Sequence, residues 1–179
     1  MKILREGTDR DCGKGLRGSI LQINISRGGV PKRPISQGNV TPLGLAGDSH
    51  AHPEIHGGPQ KALLILCAEA IDALVAEGFP LFYGALGENL TIRGLDRRQL
   101  RVGQRFRAGE VFLELTKVRT PCAALNVYGT AIGDAIYDEA VKAGNPVSPR
   151  WGMSGFYASI VRPGVVRQND IIALVDQAV

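Results

Sequence analysis

Apolar and polar positions alternate through residues 111–118, where Val111, Leu113 and Leu115 share one face and Glu114 and Thr116 the other, the period of a half-buried strand. Residues 18–26 alternate in the same way and end at Gly28 and Gly29. Residues 62–67 are continuously apolar and predict a buried strand. Residues 69–77 then carry Ile71, Leu74 and Val75 at helical spacing, with Gly78 as the stop. A glycine turn at Gly87 delivers Glu88 and Asn89 into a short strand ending at Ile92. Glu88 reads first as a residue that caps this turn, with a catalytic role as the alternative. Residues 100–106 and 111–118 form a hairpin across 107–110, with Gly109 supplying the turn. A second helix is predicted over 131–142, closed by Gly144 and Pro146, and strands at 155–161 and 171–175 complete the chain. About seven or eight strands and two short helices, without regular βαβ alternation, predict a mainly β fold, a barrel-like sheet with a few short helices.

A length of 179 residues suits one sizeable core, so a single domain over 1–179 is expected. The 44% hydrophobic and 21% charged content is that of an ordered globular chain. Apolar runs fall far short of the ~20 residues of a membrane span, and the first residues lack the apolar core of a secretion signal. A cytoplasmic protein with no membrane partner is therefore expected. A net charge of +4 favours anionic ligands, yet only 6% of residues are aromatic, which argues against a nucleic-acid surface. The dense arginines between Arg93 and Arg107 read as a solvated strand-and-turn face.

Three cysteines without a CxxC pair do not make a disulfide framework. Cys67 sits in the buried run and Cys12 in a Gly- and Lys-flanked stretch, so neither draws chemistry. Cys122 differs. Pro121 stops strand pairing just before it and turns the chain outward, and Lys117 and Arg119 supply positive charge that favours a thiolate, the form that attacks electrophiles and binds soft metals. The other reading of Cys122 is a small buried hydrophobe.

A second concentration lies in the loop-forming stretch 41–58. All three histidines, His50, His52 and His56, fall there beside Asp48 and Glu54. They offer metal or acid–base chemistry, or hydrogen bonds that tie the loop to itself, and the spacing fits no helical zinc signature. Upstream, Lys32 and Arg33 stand between two prolines on an extended segment that could hold a phosphate.

Several separated motifs match one family in order and spacing. They are Lys32 after a proline; Gly44, Leu45, Ala46, Gly47 and Asp48; His56, Gly57 and Gly58 followed by Gln60, Lys61 and Ala62; Gly87, Glu88, Asn89 and Leu90; and Arg119, Thr120, Pro121 and Cys122. Together the motif set, spanning roughly residues 17 to 175, resembles the MOSC domain, named after the C-terminal part of molybdenum cofactor sulfurase. The resemblance implies a β-barrel-like fold and the molybdenum cofactor as ligand, a pterin dithiolene with a terminal phosphate. It makes Cys122 the metal ligand and the centre of catalysis. Lys32, Lys61, Asn89, Arg119 and Thr120 become cofactor-binding groups, the cationic ones suited to phosphate or oxo oxygens; Asp48 and His56 join Cys122 as catalytic residues and, with Asn89, orient pterin or substrate. The standalone bacterial members closest in layout imply an oxidoreductase that reduces N-hydroxylated small-molecule substrates with electrons from a separate reductase. Other members imply a sulfur carrier that holds a persulfide on Cys122, loaded by a cysteine desulfurase. The blandest alternative is a metal-free binding domain with a structural histidine loop.

Overall fold

The computed structural model describes residues 15–49 and 57–176. Eleven strands and three short α-helices form there, with 3-10 turns between them. The strands are β1 Arg17–Ile25, β2 Arg33–Ile35, β3 Gln37–Thr41, β4 Gly44–Leu45, β5 Leu63–Cys67, β6 Leu90–Arg93, β7 Arg105–Ala108, β8 Val111–Val118, β9 Phe156–Arg162, β10 Gly164–Arg167 and β11 Ile171–Asp176. Strands β11, β7, β8, β9, β5, β6 and β1 lie side by side in that order, and pairing of β1 with β11 closes them into a barrel. Strand β2 hangs from β1, and β10, β3 and β4 make a small separate sheet. The mainly β, barrel-like expectation is met.

Closure depends on the length and bend of β1. Its first residues pair with β11 (Arg17 opposite Ala173) and its last with β2 (Ile25 opposite Arg33). Along its other edge it runs beside β6, with a register shift between Ile20 and Gln22. Such an irregularity sharpens the local twist, which is what a strand needs to turn a barrel corner.

Strand β5 is buried at every position because both its faces are covered. Leu63, Ile65 and Cys67 join the larger core with Ile20, Phe106, Leu113 and Phe156, while Leu66 joins a second cluster with Ile71 and Leu74 of the helix Ala68–Ala76 and with Leu86, Leu125 and Ile132. That helix links β5 to its parallel neighbour β6. In β8 the apolar phase holds from Val111 to Leu115 and then slips. A bulge between Leu115 and Lys117 returns Val118 to the core and leaves Lys117 exposed.

Two sequence expectations need adjustment, and one small sheet was not foreseen. The helix over 131–142 is two pieces, Ile132–Ile136 and Glu139–Lys142, because Tyr137 is extended (φ −153°) and Asp138 starts the second piece by accepting from Val141 N at 2.8 Å. The first arm of the hairpin is confined to β7, since residues 97–99 form a 3-10 turn capped by Asp96. The small sheet of β3, β4 and β10 is made of strands of two to five residues, too short to carry a periodic signal. Among the described residues, no helix is long and apolar enough to cross a membrane.

Gly84 locks the loop before β6 against the segment carrying Lys32. It has φ +98°, its carbonyl accepts from Lys32 N at 2.9 Å, and an added Cβ would press directly on the Lys32 carbonyl oxygen. Gly58 also has positive φ (+92°) but open space around it. Gly84→Ala should therefore lower the midpoint of thermal unfolding clearly more than Gly58→Ala, which carries only the backbone cost of about 1–3 kcal/mol. Equal losses in parallel melts would show that the close approach at Gly84 is unimportant.

Candidate functional site

The chain leaves β8 at Val118 and is fixed at its next residue. Arg119 N donates to Gly155 O at 2.9 Å, and Ser154 Oγ donates to Arg119 O at 2.6 Å. Thr120 and Pro121 then carry the chain outward to Cys122, which precedes the 3-10 turn Ala123–Tyr128 in extended conformation. The thiol is half-buried. The strand-exit position expected from Pro121 is therefore realised.

The other wall of the site presents Asn89, with Asp48 behind it. Asn89 takes both main-chain groups of Leu64: its N donates to Leu64 O (2.8 Å) and its Oδ1 accepts from Leu64 N (3.0 Å). Its Nδ2 donates to Asp48 Oδ2 at 2.8 Å and to Asn24 O at 3.3 Å. Asp48 Oδ1 accepts from Ser26 N at 2.8 Å, and Lys32 Nζ forms an ion pair with Oδ2. Both charged side chains are 5% exposed, so the pair is buried. Burial pushes the Lys32 ammonium pKa down, while the Asp48 carboxylate pulls it back up.

Between these walls lies a cavity of about 480 Å³, within the range of small-molecule and cofactor sites. Lys32, Lys61, Asn89, Arg119, Thr120 and Cys122 line it together. Six of the eight residues singled out from the sequence thus converge on one space. Asp48 does not line it; it stands behind, holding Lys32 and Asn89 in place. His56 lies outside the described residues, as do His50, His52 and Cys12. Among the described residues, no three His, Cys, Asp or Glu side chains gather as a metal-binding set.

Two further features were not foreseen. Tyr157 on β9 lines the cavity beside Arg119, which hydrogen-bonds to its phenol, and Lys61 Nζ lies 5.7 Å from its ring centroid. Burial raises the Tyr157 pKa and the Arg119 interaction opposes the rise. No local motif marks this tyrosine; only the pairing of β9 with β5 and β8 brings it to the site.

The second is the state of two buried charged groups. Arg119 is 4% exposed, yet its Nε and Nη1 have no hydrogen-bond partner. Glu88 is fully buried: Oε1 accepts from Gly84 N (2.5 Å) and Thr91 Oγ1 (2.9 Å), while Oε2 has none. Native proteins seldom leave buried polar atoms unpaired, and each exception calls for an explanation, a catalytic role or a bound ion or water among them. The cap-like role read from the sequence for Glu88 is present in its bond to Gly84.

Elsewhere the candidate chemistry is structural. Cys67 is 3% exposed, donates to Leu95 O at 3.4 Å, and burial pushes its pKa up to about 12. The arginines of the 93–107 stretch are spent on local partners: Arg93 on Asp72, Arg98 on Asp96, Arg105 on Glu114, and Arg97 on the carbonyl oxygen of Pro149.

The residues fit a molybdopterin-type group on chemical grounds. A half-buried thiol suits a soft metal, and the unpaired buried donors of Arg119, with Lys61 nearby, suit its anionic oxygens.

The family model for the MOSC domain matches residues 52–173. Protein YiiM of Escherichia coli strain K12 is 33% identical over 143 residues, which are 77% of this chain and 59% of that protein. The uncharacterized protein YflK of Bacillus subtilis strain 168 is 30% identical over 142 residues, with the same coverages of 77% and 59%. The chain thus spans about three fifths of the length of these relatives. Among solved structures, YiiM of Escherichia coli superposes with a TM-score of 0.66 at 24% identity, covering 91% of this chain and 71% of that one. YiiM of Geobacillus stearothermophilus gives 0.67 at 23%, covering 89% and 75%. These two likenesses concern the fold. The matched family model, together with relatives at this level of identity, places the chain in the MOSC domain family.

Proposed function

We propose that this protein binds the molybdenum cofactor in the 480 Å³ cavity and acts as an oxidoreductase that reduces N-hydroxylated small molecules. The observation that carries the reading is the convergence of one half-buried thiol with Lys61, Arg119 and Asn89 on a single space large enough for a pterin. A sulfur carrier needs an accessible thiol but no such cavity, which favours the reductase reading over the persulfide alternative.

When bound, the cofactor would supply two-electron redox chemistry at a site fixed by the Cys122 thiolate. The rest falls to the chain. Arg119 and Lys61 hold anionic oxygens, Asn89 presents an amide held rigid by Leu64 and Asp48, and Val30, Leu64, Leu86 and Pro121 exclude water from the apolar side. Cleavage of an N–OH bond consumes two electrons and two protons and releases water, leaving N–H. The electrons would come from a donor centre outside these 179 residues, since their three cysteines cannot ligate an iron–sulfur cluster.

The test is turnover by protein purified from a host that makes the cofactor, with a chemical reductant as donor and an N-hydroxylated nucleobase or amidoxime as substrate. Formation of the amino product, one per two electrons, is expected. Cofactor-loaded protein that reduces none of a panel of such substrates would contradict the reading.

A further inference from the structure

Arg119 Nε and Nη1 and Glu88 Oε2 are buried polar atoms of a base and an acid, and none of the three has a hydrogen-bond partner. Arg119 lines the cavity; Glu88 does not, although its neighbours Gly87 and Asn89 do. Glu88 lies within electrostatic range of the Arg119 guanidinium at the end of β8, the Lys32 ammonium before β2 and the Tyr128 phenol of the 3-10 turn. Lys32 is already committed to Asp48. Arg119 is therefore the cation with donors to spare, and Glu88 is a carboxyl group with no exposed surface.

We propose that oxyanion binding at Arg119 is proton-coupled through Glu88: a tetrahedral oxyanion entering the cavity takes the free Arg119 donors, and Glu88 takes up one proton as the second negative charge arrives. The inference rests on reading the cavity as anion-receiving, and extends it to Glu88. In a site shielded from water, two anions near one guanidinium repel each other far more than they would at the surface. Glu88 cannot move its charge away, because Gly84 N and the Thr91 hydroxyl hold its other oxygen. Protonation is the remaining way to relieve the repulsion. Burial already raises its pKa, against the pull of these bonds and of Arg119, so an arriving anion adds to an existing tendency. No bond to carbon, nitrogen or sulfur changes; one proton passes from solvent to a Glu88 oxygen. The oxyanion could be the cofactor's phosphate or a free inorganic ion, which share this chemistry.

The experiment is titration of inorganic sulfate into full-length protein made in a host lacking cofactor synthesis, in two buffers of different ionisation enthalpy, across a pH series. The buffer-dependent heat counts protons. Uptake approaching one proton per sulfate is expected in the wild type, with affinity rising by up to about tenfold per unit fall in pH. In Glu88→Gln the uptake should vanish and the affinity should become flat with pH. Absence of sulfate binding, absence of uptake, or unchanged uptake in Glu88→Gln would each overturn the proposal. Should that variant not fold, an infrared difference spectrum of the wild type decides: a protonated-carboxyl band appearing with sulfate supports the coupling, and none refutes it. Sulfate excluded from cofactor-loaded protein assigns the site to the cofactor's phosphate, and sulfate binding beside the cofactor assigns it to a free ion. Neither turnover nor loaded metal is required, so failure of the reductase reading leaves this result interpretable.

Discussion

Cys122→Ser should fold normally and hold no molybdenum. The thiol is half-buried, and its residue contributes one main-chain acceptor bond, Cys122 O to Leu125 N at 3.1 Å, which serine keeps. A change of about 0.5 kcal/mol or less in stability is expected for a substitution of this kind. The chemical change is much larger. A neutral alcohol replaces a soft, ionisable thiol at the position proposed as the metal ligand. Metal retention and N-hydroxylamine reduction should both fall by more than about 100-fold, since even outer partners of a metal site are worth 10–100-fold. Cys67→Ser is the contrast: it places a hydroxyl in the core and should cost stability rather than metal, because Cys67 packs among core side chains. Elemental analysis of the two variants beside their melting curves separates the roles. Full metal content in Cys122→Ser would remove the thiol from the site.

The second large effect concerns the Lys32–Asp48 pair. Lys32→Met keeps the apolar stem and deletes the ammonium, leaving a carboxylate that is 5% exposed with donors only from Ser26 and Asn89. Removing one member of a buried pair costs about 3–5 kcal/mol, which for a chain of this size lowers the melting temperature by about 10 °C. The double variant Lys32→Met, Asp48→Asn removes both charges and should be more stable than Lys32→Met alone. A double variant less stable than the single would mean that Asp48 does not depend on Lys32. The pH dependence carries a sign as well. Because burial holds the folded Lys32 pKa below its ordinary 10.5, the unfolded chain binds the extra proton between the two values. Lys32's contribution to stability therefore rises with pH in the interval just below 10.5, and the difference between wild-type and Lys32→Met melts should change in that direction.

What the sequence revealed about this molecule follows from how local each signal is. Strands β1, β5, β8, β9 and β11 have alternation or an unbroken apolar run over five or more residues, and they appear close to their expected bounds. Strands β2 and β4 are two or three residues long, shorter than one period of either pattern, and exist because a neighbour supplies hydrogen bonds. Cys122 was visible because proline acts on its immediate neighbours, and Lys32, Asn89 and Arg119 because each sits in a short motif. Tyr157 was invisible: its place in the cavity depends on the register of β9 against β8 and β5, contacts between residues far apart in the chain. The unpaired atoms of Glu88 and Arg119 likewise exist only once two distant segments are packed together. Asp48 carries the instructive difference. The motif drew attention to it as a reacting group, whereas the fold uses both of its oxygens to hold Lys32, Asn89 and the Ser26 backbone.

The most direct test of the central claim is the molybdenum and pterin content of the wild-type protein purified from a host confirmed to make the cofactor. Near one molybdenum and one pterin per chain is the predicted result, with both retained through gel filtration. Protein that emerges from such a host with neither would contradict the assignment of the cavity to the molybdenum cofactor.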